Sequence, residues 1–218
     1  YLMNGSVQML SPAILTIDPG VVIKNQLSGG GFIIDGGLIA DGTPGQPIVF
    51  TSERDDLYGN PPDTNGDGAT TVPASANWTY IRFTGTSNDA VSKLDNCRLT
   101  YASAGPYDGW NTALWITSAA PTITNCFFSK AAYAIRIDGN ASPTIDFCDF
   151  NNLSAAPYVM SVLSDPVIGV NSVYSTNVYN AIALLSETLS QNARIKYRPG
   201  VGVPTFAYLP TGQLTVAS

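Results

Sequence analysis

The residues of this chain best suited to chemistry lie in one polar stretch, Asp63-Thr64-Asn65-Gly66-Asp67-Gly68. Oxygen donors at alternate positions followed by a glycine form the opening of a calcium loop: the donors converge on one hard cation and the glycine permits a sharp turn. The last position of such a twelve-residue loop carries a bidentate Glu, and here it is Ala74. Asp55 and Asp56, seven and eight positions before Asp63, are the candidates for the missing ligand. The expected cofactor is a structural Ca²⁺ that folds the segment without taking part in catalysis. The alternative is an Asx- and Gly-rich solvated turn that binds nothing.

Other chemistry is narrowed by what the chain lacks. There is no His, which removes the commonest general base and zinc ligand and excludes Ser-His-Asp and Cys-His catalysis within this chain. The 3 Cys are too few and too odd in number for a disulfide framework. With 16 acidic against 10 basic residues the net charge is −6, which argues against nucleic acid as a partner. No apolar run reaches the length of a membrane-spanning helix, so membrane insertion is not expected.

A second candidate site is a surface column. Arg82, Trp115, Arg136 and Ser161 fall at the outward positions of four short apolar strands. If those strands stack in register, Trp115 lies between two guanidinium groups, each contact contributing ~0.5–1 kcal/mol when exposed. The column serves either as a structural ladder or as a platform for a sugar ring. A segment containing Tyr107, Asp108 and Trp110 enters just before the Trp115 strand, at the corner where the calcium-like loop enters one strand earlier. Together with Trp78 these residues would bring aromatics and a carboxylate toward the column, a set suited to polysaccharide. For an enzyme the material is thin. Asp138, Asp146 and Asp149 lie on or beside strands without forming an obvious general acid–base pair, and no catalytic residue is assigned.

The elements that must position these residues show themselves as a repeat. Pro121-Thr122-Ile123-Thr124-Asn125-Cys126, Pro143-Thr144-Ile145-Asp146-Phe147-Cys148 and Pro166-Val167-Ile168-Gly169-Val170-Asn171 align without gaps, with proline spacings of 22 and 23 residues. Ser92-Lys93-Leu94-Asp95-Asn96-Cys97 fits the same frame one step earlier. Each motif follows a second alternating strand: Tyr80–Phe83, Ala113–Ile116, Ala134–Ile137 and Tyr158–Val162. A fifth such strand, Tyr179–Leu184, continues the series. A single rung cannot bury its apolar side alone, whereas stacked rungs close a continuous core. The predicted fold is all-β: a right-handed parallel β-helix with rungs of about 22 residues over 1–188, an insertion at 51–78, and a last rung or connector at 189–218. Cys97, Cys126 and Cys148 share one register and should form a column of buried thiols.

The Pro-Thr-Ile-x-x-Cys rungs and the opening Leu15-Thr16-Ile17-Asp18-Pro19-Gly20-Val21-Val22-Ile23-Lys24 resemble right-handed parallel β-helix proteins of the pectin-lyase-like class, in particular bacterial secreted repeat proteins. The resemblance covers nearly the whole chain and implies a secreted or cell-surface location. It specifies fold better than activity, because such folds host lyases, hydrolases, adhesins and stalks. A longer likeness joins the ends: at an offset of 207, Tyr1, Leu2, Gly5 and Ser11 recur as Tyr208, Leu209, Gly212 and Ser218. The functional expectation is therefore a structural or adhesive module meeting neighbouring modules or copies end to end. The alternative is a carbohydrate-binding or polysaccharide-degrading β-helix.

Overall fold

In the computed structural model the described residues are 1–27, 30–104, 111–199 and 206–217. They form a parallel β-solenoid of about 8 turns with a spacing of roughly 25 residues, somewhat wider than the proline spacing because several corners carry extra residues. Three sheets run its length. The first joins Leu2–Met3, Val22–Asn25, Ile48–Ser52, Cys97–Thr100, Phe127–Ser129, Asp149–Asn151 and Val173–Ser175. The second joins Val7–Met9, Phe32–Ile34, Ile81–Phe83, Thr112–Thr117, Tyr133–Asp138, Tyr158–Met160, Ala181–Leu184 and Ala207–Pro210. The third joins Ile14–Ile17, Gly37–Asp41, Lys93–Asp95, Thr122–Thr124, Thr144–Asp146 and Val167–Ile168. The chain visits the three in that order on successive turns, and their paired strands are parallel.

Alternation decides which side chains point inward. On the third sheet Leu94, Ile123, Ile145 and Ile168 pair in register and are buried. On the second, Phe83, Ile116, Ile137, Met160 and Leu184 form the same kind of column. On the first, Phe128, Phe150 and Tyr174 stack face to face, with ring centroids 5.3 and 5.2 Å apart and planes within 7°. Burying each such side chain contributes about 1.5–3 kcal/mol, and parallel stacking places like residues on like, so the contribution repeats every turn.

The thiol column is present. Cys97, Cys126 and Cys148 are buried and free, each one position before the in-register series Arg98, Phe127, Asp149. Burial pushes the Cys126 thiol well up; at Cys148 the contact with Cys126 does so first and burial second. Cys126 and Cys148 are thus protonated apolar fillers without nucleophilic character.

Between the third and first sheets the chain bends at a single residue in the left-handed region. Asn96 (φ 48°), Asn125 (φ 52°) and Phe147 (φ 54°) hold this place on successive turns. Asn tolerates the conformation and its amide is used: Asn125 Nδ2 donates to Asp95 Oδ1 at 2.7 Å. Phe147 has no such group, and its ring stands 56% exposed.

Toward the C-terminal end the alternation of Ala193–Tyr197 does not become a strand. Among the described residues this segment is held by side chains instead, with Asp165 paired to Lys196 and to Arg198. Ala207–Pro210 then rejoins the second sheet, and Leu214–Val216 pairs with Glu187–Leu189 in a separate two-stranded sheet. The likeness of the two ends is not structural equivalence. Leu2 lies on the first sheet and Leu209 on the second.

Phe147→Asn should relieve the left-handed strain and supply a side-chain amide of the kind Asn125 uses. The expected gain is about 1 kcal/mol, read as a rise in Tm of about 2–4 °C for a chain of this size. An unchanged or lowered Tm would show that the Phe147 ring contributes more than its backbone costs.

Candidate functional site

The insertion leaves the solenoid between the first and second sheets, after Ile48–Ser52, and returns at Ile81–Phe83. One turn later the connection from Cys97–Thr100 to Thr112–Thr117 leaves at the same corner. Within it, Tyr107, Asp108 and Trp110 lie outside the described residues. The two connections are stitched at their bases, where Ser103 N donates to Thr79 O at 3.0 Å and Ala104 N to Trp78 O at 2.8 Å. Trp78 does not reach the surface column. It is fully buried, with Nε1 donating to Thr100 O at 2.8 Å.

The insertion folds back over the outer face of the first sheet. Val49, Thr51 and Lys24 lie there, outside the inward set of Ile48 and Phe50, yet all three are buried. The Lys24 ammonium donates to the Pro62 carbonyl, and Asp56, Asp55 and Asp63 lie close enough to favour its charge. Burial is the larger effect and lowers its pKa from the ordinary value. Asp55 is fastened beneath the loop: Oδ2 accepts from the Thr51 hydroxyl at 2.5 Å and Oδ1 from Leu57 N at 3.2 Å. Asp56 Oδ1 is buried without a hydrogen-bond partner.

The Asp63–Gly68 segment forms the sharp turn its composition predicts, with Gly66 (φ 71°) and Gly68 (φ 62°) left-handed. Asp63 closes it: Oδ1 accepts from Asp67 N at 3.1 Å and Oδ2 from Gly68 N at 2.9 Å. Asp67 Oδ2 accepts from the Thr71 hydroxyl at 2.5 Å and from Asn65 Nδ2 at 2.9 Å. The Thr71 bond is the leading reason the Asp67 carboxyl lies below its usual range. In this arrangement the carboxylate oxygens accept from the loop's own backbone and side chains. Among the described residues no three acidic side chains, thiols or imidazoles converge as metal ligands. Lys24 is a cation close to Asp55, Asp56 and Asp63.

The surface column on the second sheet is partly as expected. Trp115 pairs in register with Arg82 on one side and Arg136 on the other. The guanidinium carbons stand 4.0 and 4.4 Å from the ring centroid. Both faces of Trp115 are thus covered, and Tyr80 meets it edge-on at 5.4 Å. A sugar ring has no open indole face on which to stack. The fourth member of the column is Val159, the register partner of Arg136, where Ser161 was expected. Ser161 lies beyond the strand end, donating to Glu187 Oε2 at 2.7 Å. Asp138 completes the cluster: Oδ2 accepts from Trp115 Nε1 at 3.0 Å and from Arg136 Nε at 2.9 Å.

Beside the column runs an open groove of about 420 Å³, lined by Arg82, Trp115, Arg136 and Asp138 and, on later turns, by Leu163, Leu185 and Glu187. Glu187 and Thr117 were not singled out by the repeat, because they occupy connection and strand-end positions where it is weakest. Lys24 carried a signal that could have found it, as the single charge in the apolar run Val21-Val22-Ile23-Lys24-Asn25. Compared with protein-family models, curated proteins and solved structures, the chain gives no match.

Lys24→Met keeps the stem's volume and removes the ammonium. It leaves the Pro62 carbonyl unpaired and the neighbouring carboxylates without their cation, an expected cost of about 1–3 kcal/mol. Limited proteolysis should then cut within residues 53–77 faster than in the wild type. Equal stability and equal cleavage would mean the insertion is held by other contacts.

Proposed function

We propose that the chain is a structural module of a secreted or surface-displayed solenoid, continued beyond its first turn by further β-structure. The observation that carries this is the character of that turn. From Tyr1 to Ile17 there is no Asp, Glu, Lys or Arg. Leu2–Met3, Val7–Met9 and Ile14–Ile17 are the terminal strands of the three sheets, with one edge each unpaired. Tyr1, Leu2, Leu10 and Ile14 are exposed, and a cavity of about 370 Å³ opens into the core between Met3, Val7, Leu15, Ile17, Ile23 and Phe32. Natural sheet edges are ordinarily guarded by charges, prolines or bulges, because an unguarded edge pairs with whatever strand it meets. This one has the composition of an interior turn. A further turn, from a neighbouring segment or a second copy, would pair those edges and fill the cavity.

The resemblance of Leu15–Lys24 and of the Pro-Thr-Ile-x-x-Cys rungs to pectin-lyase-like bacterial secreted proteins supports the location and the scaffold role. A polysaccharide-degrading reading has less support. Asp138 is already shared by Trp115 and Arg136, while Asp146 and Asp149 lie on the third and first sheets. Ca²⁺ on the insertion belongs to the proposal on the strength of Asp63, Asn65 and Asp67 at alternate positions around left-handed glycines.

Two measurements test this reading. Light scattering and negative-stain microscopy on the chain should show concentration-dependent end-to-end particles, and Val7→Lys/Ile14→Lys should return them to monomers. A wild type that stays strictly monomeric at high concentration with its first turn folded counts against the module. Separately, calorimetric titration with Ca²⁺ should give heat in the wild type that is lost in Asp63→Ala/Asp67→Ala. A flat wild-type trace removes the ion and leaves Lys24 as the loop's cation.

A further inference from the structure

The groove on the second sheet holds an unusual concentration of unmet hydrogen bonding. Arg82 Nε, Thr117 Oγ1 and Asp138 Oδ1 are buried and have no hydrogen-bond partner among the described residues, and all three residues line this groove. A buried polar group left unpaired costs about 1–3 kcal/mol, and native proteins keep few of them. Three along one open depression mark a surface built to be completed by something else. The three residues are themselves only half-buried, so each reaches the surface of the groove.

The character of the missing partner follows from what the walls offer. One unpaired atom is a donor, one is an acceptor, and the hydroxyl can act as either. Charge is balanced: Arg82 and Arg136 line the groove together with Asp138 and Glu187. A polyanion would meet two carboxylates and a polycation two guanidiniums, whereas a neutral hydroxyl-bearing ligand meets no net repulsion and supplies both donors and acceptors. Leu163 and Leu185 in the same lining suit the C–H face of such a ligand. The groove runs along the solenoid axis, past Arg82, Trp115 and Arg136 on consecutive turns and on to Ser161. That is a run of roughly 14 Å at the inter-strand spacing, so it fits a chain better than a compact molecule.

We propose that this groove binds a neutral glycan chain lying along the solenoid axis, with Arg82, Thr117 and Asp138 making its hydrogen bonds. The Arg82–Trp115–Arg136 stack is then the rigid wall that positions those groups and is not the surface on which the sugar stacks. Asp138 holds the wall through Oδ2 and offers Oδ1 to a ligand hydroxyl. The site is independent of end-to-end assembly, because no member of Tyr1–Ile17 lines it.

The test is titration of the whole chain, by tryptophan fluorescence and calorimetry, with neutral oligomers of glucose, xylose and mannose beside oligogalacturonate and chitosan oligomers of equal length. At least one neutral oligomer should bind, with the acidic and basic chains at least about tenfold weaker. Thr117→Val removes one hydroxyl at constant shape. It should weaken neutral-chain binding by about tenfold while Tm does not fall, because the hydroxyl removed is unpaired. Arg82→Met provides a second variant with the same expected direction. Binding of the charged chains in preference, no binding of any neutral oligomer at millimolar concentration, or wild-type affinity in both variants would each overturn the assignment.

Discussion

Everything in this protein depends on parallel register between successive turns. Each strand finds its backbone partners one turn away, and no turn is complete until its neighbour is in place. The same register that pairs N–H with C=O places Ile123 on Leu94 and Ile145, and Phe150 on Phe128 and Tyr174. Hydrogen bonding and core packing are therefore one constraint. A shift of one residue would turn the inward column outward and the polar column inward, which is why the alternation is kept through corners of very different length.

That constraint also explains how an insertion of more than twenty residues is carried. It occupies a corner, where the chain is already leaving one sheet for another, so it interrupts no ladder. Ile48–Ser52 still pairs with Cys97–Thr100 on the next turn. What the insertion changes is the outer face of the first sheet, where it buries Lys24, Val49 and Thr51. A buried ammonium is costly unless neighbours favour its charge. The Pro62 carbonyl and the carboxylates of Asp55, Asp56 and Asp63 do so. The loop and the lysine beneath it are thus mutually dependent.

The outer face of the second sheet shows register acting on polar groups. Two arginines on either side of one tryptophan are a consequence of three strands stacked in phase. Their proximity is stabilised by the ring between them and by Asp138, which ties the indole and one guanidinium through a single oxygen. The arrangement is held from both faces of the ring and leaves Arg82 Nε, Thr117 Oγ1 and Asp138 Oδ1 unpaired among the described residues.

The solenoid was legible in the residues themselves, because a motif returning in phase, Pro-Thr-Ile-x-x-Cys, can satisfy its alternation on every turn only by stacking on its own copies. From that alone the thiol column, the inward Ile and Phe series and the Arg–Trp–Arg contact could be expected, since each requires only that equivalent positions meet. The sequence could not say which way free side chains would turn. Trp78 goes into the core to reach the Thr100 carbonyl, Ser161 yields its place in the column to Val159, and the oxygens of Asp63 and Asp67 close their own turn. The likeness of Tyr1-Leu2 to Tyr208-Leu209 could not be weighed without knowing that they fall on different sheets. Periodicity is a property of local sequence and determines register. The partnership of Lys24 with a loop some forty residues away, and the groove shared by Thr117, Asp138 and Glu187, are decided by distances between turns and corners that no spacing along the chain encodes.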